Sequence, residues 1–224
     1  MVVVTLLGRE LELIGKLHSY HGSGRFPASL WQPNAIYLDL LTVPIEEQAR
    51  APSQARFFVE LLDEQPGVEV GSIKLVPEAW PASDEQPMAQ LGDEIQLLSA
   101  LPDKTTVAAG ETVTVSIRWQ VTAPLSRDLI TFVHLGDPTQ PPLAQGDALA
   151  LGGDYPPRLW DAGETFADSF NFTLPAGLEN GRYPLNIGLY DPATGQRLHV
   201  SVGNDPQPNN AYTVGVITVQ NNAP

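Results

Sequence analysis

The sequence predicts an all-β protein built from two tandem antiparallel β-sandwiches, the first of them incomplete at its N-terminus. Three observations predict it: an internal repeat, period-two alternation of apolar residues, and dense turn residues. Shifted by 129 residues, Val2 to Asp39 lies on Thr131 to Asp168 without a gap. Val4/Val133, Leu6/Leu135, Gly24/Gly153, Pro27/Pro156, Leu30/Leu159, Trp31/Trp160 and Asp39/Asp168 are identical. They concentrate in Gly24-Arg-Phe-Pro-Ala-Ser-Leu-Trp31 and Gly153-Asp-Tyr-Pro-Pro-Arg-Leu-Trp160. Farther on, Ala55–Asp63 matches Gly181–Asp191, and Val70–Leu75 matches Val214–Val219, so both copies end on a similar strand. Self-similarity on this scale marks a duplicated structural unit.

The strands follow in order along the second copy. In Glu111–Val121, Val113, Val115, Ile117, Trp119 and Val121 share one face and polar residues the other, the pattern of a half-buried strand. Leu129–Leu135 is rich in β-branched and aromatic residues. Thr165–Leu174 groups Phe166, Phe170, Phe172 and Leu174, and Arg182–Tyr190 groups Tyr183, Leu185, Ile187 and Leu189. Tyr212–Val219 closes the copy. Ala109-Gly110, Gly136-Asp-Pro138, Asn180-Gly181 and Asp191–Gly195 supply the turns, and the whole chain holds 19 Gly and 21 Pro. About seven short strands without helical period read as a sandwich of immunoglobulin or fibronectin type. Tyr183, near a strand start after Leu174-Pro-Ala-Gly-Leu-Glu-Asn-Gly181, fits a corner tyrosine whose hydroxyl bonds back to the backbone.

In the first copy, Ile45–Leu62 has helical propensity, but Pro52 interrupts it and the repeat maps its second half onto a strand, which is the reading adopted. The domains are therefore expected at 1–76 and 93–220, joined by a Pro-rich acidic linker at 77–92. The second copy carries Asp93 to Leu129 ahead of the strand that matches Val2, and the first has no counterpart. A sandwich so truncated exposes edges and apolar surface. It is expected to be a fragment, to have a misplaced start, or to borrow strands, with Val2–Leu7 as an unpaired strand for oligomer formation.

Composition excludes several classes. The net charge of −14 argues against nucleic acid and anionic membrane surfaces as partners. The absence of cysteine removes disulfides, thiolate nucleophiles and Cys-ligated zinc. No apolar run is long enough to span a bilayer, so no membrane insertion by this segment is expected.

The series Gly92–Leu98, Val107–Val113, Trp119, Phe132–Leu135, Tyr155-Pro156, Leu159-Trp160 and Gly188–Leu198 resembles the β-sandwich repeats in extracytoplasmic tails of bacterial multi-spanning membrane proteins. Many of those are glycosyltransferases of the dolichyl-phosphate-mannose mannosyltransferase type. The resemblance covers nearly all of the second copy and, more faintly, the first. It implies an extracytoplasmic accessory module at the cell surface, not the transferase itself, whose catalytic machinery belongs to the membrane part.

Candidate site residues divide between two roles. Trp31, Trp160 and Trp80 are candidate sugar-stacking platforms, with Asp154 and Asp161 as hydroxyl acceptors. The recurrence of Trp31 and Trp160 with Pro27, Pro156 and Leu at fixed offsets favours a plug at the sandwich end, and Trp80 reads as a domain-interface anchor. Asp39 and Asp168 sit at equivalent places inside expected strands, where a buried carboxylate needs a structural partner. Asp147 and Asp154 are the candidate calcium ligands, without an Asp-x-Asp-x-Asp-Gly loop. His18 and His21 fall on a loop, and His134 replaces Thr5 of the first copy, so the repeat demands no ligand there. His21-Gly-Ser-Gly24 lacks the context of a nucleophile elbow. Asn171-Phe-Thr173 is a sequon inside a strand. No catalytic residue, metal or cofactor is assigned. The expected function is a non-catalytic spacer, or a docking or carbohydrate-binding surface, with glycans or envelope proteins as partners. The alternatives are a carbohydrate-active enzyme or its sugar-binding module, and an assembly protein that exchanges strands through the incomplete first domain.

Overall fold

The computed structural model describes residues 1–61, 67–82 and 84–221. The ends of the expected pairing Ala55–Asp63 and the linker residue 83 therefore lie partly outside the described residues. The chain divides into two units, Met1–Glu78 and Ala79–Pro224. Both are built mainly of antiparallel strands, and the described residues are all-β.

The first unit is one sheet. β1 (Val2–Leu7), β2 (Leu13–Ser19), β3 (Ser53–Leu61) and β4 (Val68–Leu75) run in the order β2-β1-β3-β4. Val4, Leu6, Ile14 and Ala55 form its small core, with Leu41, Val43, Phe57, Val59 and Leu75 half-buried around them. The segment read as helical by propensity forms β3 in its second half, because pairing with β1 and β4 outweighs a weak local preference. Val2–Leu7 is not an unpaired strand. It lies at the centre of the sheet, paired with β2 on one side and β3 on the other. Leu13–Ser19 supplies the second pairing, and its mixed apolar and polar residues hide that strand from the sequence pattern.

The second unit is a sandwich. β5 (Ala89–Leu91), β6 (Ile95–Pro102), β8 (Thr112–Val121), β12 (Thr165–Thr173), β14 (Val200–Val202) and β15 (Asp205–Pro206) make one sheet, ordered β12-β8-β6-β5-β14-β15. β7 (Thr106–Val107), β9 (Ile130–Leu135), β10 (Ala144–Gln145), β11 (Ala148–Leu149), β13 (Gly181–Tyr190) and β16 (Tyr212–Val219) make the other. β7 pairs with β16 in parallel, and the remaining pairs are antiparallel. Val113, Val115, Ile117, Trp119 and Val121 from one sheet and Val133, Leu135, Leu185, Ile187 and Ile217 from the other share one buried core. The expected linker is corrected at its C-terminal end: residues 89–91 are a strand between β6 and β14, and Trp80 packs on this core.

The repeat is reproduced pair by pair. Val4 faces Val59 and Leu6 faces Phe57, as Val133 faces Ile187 and Leu135 faces Leu185. Ala55 faces Ile73, as Tyr183 faces Ile217. Leu6 faces Gly15, as Leu135 faces Ala144. Even the bulge recurs: the register shifts after Phe57 and after Leu185, leaving Val70 and Val214 as the extra residues. The first unit thus matches one sheet of the second. Among the described residues it has no counterpart of the sheet that contains β6, β8 and β12. The inward-facing Ile73 is accordingly 40% exposed, while its counterpart Ile217 is 1% exposed.

Candidate functional site

The residues singled out by the repeat form a corner between the edge strand and the next extended segment. In the second unit, a turn at Ala150–Gly153 follows β11, with Leu151, Gly152 and Gly153 at φ of 48°, 65° and 94°. Tyr155-Pro156 leads to a second turn, Pro157–Leu159, and then to Trp160. Three positive φ values in succession turn the chain tightly and point the Leu151 N–H inward. It donates to Asp168 Oδ2 at 2.9 Å, and Ser169 N donates to Asp168 Oδ1 at 2.7 Å. The Trp160 indole donates to the Tyr155 carbonyl at 3.0 Å, and the Tyr155 hydroxyl donates to the buried Glu164 carboxylate. Tyr155, Trp160 and Phe166 pack ring against ring, Trp160 and Phe166 with centroids 4.8 Å apart. Burial and Glu164 both hold the Tyr155 hydroxyl in its neutral form, so it stays a donor.

The first unit repeats the backbone course of this corner. Turns at His21–Gly24 and Ala28–Leu30 take the same positions, with Gly22, Ser23 and Gly24 at φ of 59°, 56° and 82°. Gly22 N donates to Asp39 Oδ2 at 2.9 Å, the counterpart of the bond from Leu151 to Asp168. Pro27 and Pro156 each accept the first bond of the second turn at 2.9 Å. Asp39 and Asp168 are therefore anchors of a tight turn, which is the structural role the sequence suggested. Only Asp168 lies in a strand; the segment bearing Asp39 has none beside it to pair with.

The sugar-stacking reading of Trp160 is overturned by its burial: the ring is 1% exposed and plugs the core. Trp80 is half-buried with its ring 6.4 Å from that of Tyr155 and nearly parallel to it. Trp31 is 37% exposed beside Tyr37 and His21, at centroid distances of 5.2 and 4.5 Å. The two Trp residues hold the same backbone position, so the difference lies in what covers them. Tyr183 donates to the Glu179 carbonyl at 3.0 Å, turning back on its own strand start.

Burial raises the Asp168 carboxyl above the ordinary carboxylate value, while the bonds from Leu151 and Ser169 oppose the rise. A group whose folded value lies above its unfolded one favours the fold most at low pH. That contribution is lost as pH rises through the folded value. Asp168→Ala orphans two backbone N–H groups and is expected to cost about 2–4 kcal/mol. Asp168→Asn keeps an acceptor, is expected to recover most of that loss, and should gain on the wild type as the pH rises from acid to neutral. Urea unfolding at both pH values measures it; equal losses in the two variants would remove Asp168 from this role.

Sequence reasoning missed a polar cluster on the other sheet. His134 Nε2 lies 2.9 Å from Asp147 Oδ1, and Arg197 Nη2 lies 3.4 Å from His134 Nδ1. Arginine only donates, so Nδ1 accepts and Nε2–H faces the carboxylate. The Arg197 guanidinium sits 4.2 Å from the centroid of the Phe132 ring and donates to the Asn209 carbonyl. Burial lowers the Arg197 value, partly offset by Asp147. Burial and Asp147 raise that of Tyr190. Beneath it, Asn186 donates to the Gly136 carbonyl and accepts from Thr213. Asp147 is thus bonded to a histidine rather than arranged for calcium. Among the described residues no three metal-ligating side chains gather, around Asp154 or elsewhere. A small concavity lies beside His134, lined also by Phe132, Asp137, Asn186 and Arg197. The replacement of Thr5 by His134 was the one available signal; its partners come from separate loops. No protein-family model matches the chain, and no curated protein matches it.

Proposed function

We propose that the chain is a non-catalytic accessory module of a cell-envelope protein, held outside the cytoplasmic membrane, where it serves as a spacer and a docking surface. The observation that carries this reading is one corner built twice, closed under a second sheet in one unit and open in the other. The strongest sequence candidates for chemistry, Trp160 and Asp168, are engaged in packing and turn anchoring. The exposure of Trp31 follows from the missing cover, which favours a protein-docking surface over a glycan platform. The resemblance to extracytoplasmic tail repeats supports the location, and the acidic surface suits a solvated envelope position. Protease treatment of intact cells tests it. The protein is expected to be cleaved without rupture of the cytoplasmic membrane; protection until rupture would contradict the reading.

A further inference from the structure

The segment Ile36–Pro44 follows the corner of the first unit as β12 follows that of the second. It forms no regular strand; Leu41 and Val43 pack on the small core at the places of Phe170 and Phe172, and Tyr37, at the place of Phe166, is 38% exposed beside Trp31. β12 pairs along its whole length with β8, from Thr165 opposite Gln120 to Thr173 opposite Thr112. In Ile36–Pro44, among the described residues, no backbone N–H donates to a backbone carbonyl. Its outward side chains Ile36, Leu38 and Leu40 are 97%, 91% and 89% exposed, where the second unit places Thr165, Ala167 and Ser169. A segment apolar on both faces and unpaired up to the bridge between Ile45 and Gly15 has the pattern of a strand meant to be covered.

We propose that Ile36–Pro44 is the acceptor edge for an antiparallel strand from outside residues 1–224, in a strand-addition mode. This rests on the docking reading above. The second unit displays the occupant: a hairpin with the pattern of β6 and β8, apolar at alternate positions facing the sheet. In the register of β12 and β8, the added strand places residues equivalent to Arg118 and Ser116 opposite Leu38 and Leu40. These are outward positions, and the aliphatic stem of an arginine there covers apolar surface. Main-chain bonds along the edge supply affinity and the inward pockets supply specificity. β8 of a second copy is not the occupant, because it is already paired on both sides, with β6 and β12.

The test uses the full chain and a synthetic peptide of residues 95–121. Calorimetry is expected to show saturable binding at one peptide per chain. Hydrogen exchange should then slow at least tenfold at residues 36–44. A peptide with Val113, Val115 and Ile117 replaced by serine should not bind, and Leu41→Asp with Val43→Asp in the chain should abolish binding while leaving the second unit's circular dichroism and unfolding unchanged. Absence of saturable binding, equal binding of the serine peptide, or protection elsewhere than 36–44 would overturn the proposal. So would a chain that self-associates with 36–44 already protected. None of these results bears on envelope location, which the protease experiment decides separately.

Discussion

Trp160→Ala is expected to destabilise the second unit by about 3–5 kcal/mol, the cost of removing a fully buried indole from a close-packed core. The ring fills the space among Tyr155 and Phe166, and its N–H closes the Tyr155 carbonyl, so truncation leaves a cavity and an orphaned acceptor together. Trp31→Ala, at the matching position of the open unit, should cost less than half as much, since that ring is already partly in water. Urea unfolding followed by circular dichroism compares the two. Equal losses would mean that the two corners are covered alike.

Gly146→Val is expected to cost about 2–3 kcal/mol or to prevent the second unit from closing, as overpacking against rigid atoms does. A Cβ at Gly146 would lie 2.3 Å from the Asn171 carbonyl oxygen, where the edge between β10 and β11 crosses β12. Gly15 of the first unit meets the same obstacle, 2.4 Å from the Pro44 carbonyl oxygen. Main-chain oxygens cannot rotate away as a side chain does. The difference between the units lies in what happens next. β12 is locked by nine residue pairs to β8 and cannot retreat. Among the described residues, 36–43 have no such neighbour, and the segment's end is held by the bridge between Gly15 and Ile45 alone, so Gly15→Val should be milder, with the segment moving outward. Thermal unfolding of both variants checks this, and a Gly15→Val loss equal to that of Gly146→Val would show that the first unit's segment is held as firmly.

Much of this was legible in the residues. The repeat rested on few identities, yet its alignment matches the observed pairing through β1, β3 and β4, bulge included, because core-facing positions fix register wherever one face is buried. The alternation of Glu111–Val121 and the spacing of Phe166, Phe170 and Phe172 gave strands with the correct buried faces. What escaped has physical reasons. Leu13–Ser19 mixes apolar and polar residues without a clean period, so the partner that makes β1 central was invisible. The repeat places Asp39 in a strand because its copy lies in one; pairing is a property of two segments, and no described residues supply the second. Trp31 and Trp160 share every local signal, and only tertiary cover separates them. His134, Asp147 and Arg197 meet through β9 and two loops whose approach no spacing rule reports.

The account turns on one claim: the same corner is closed in the second unit and open in the first. Amide hydrogen exchange of the full chain alone measures it directly. The amides among residues 166–172 that bond to β8 are predicted to exchange only through unfolding of the second unit, and residues 36–43 to exchange at rates near those of unstructured peptide. Comparable protection of the two segments in the isolated chain would contradict it.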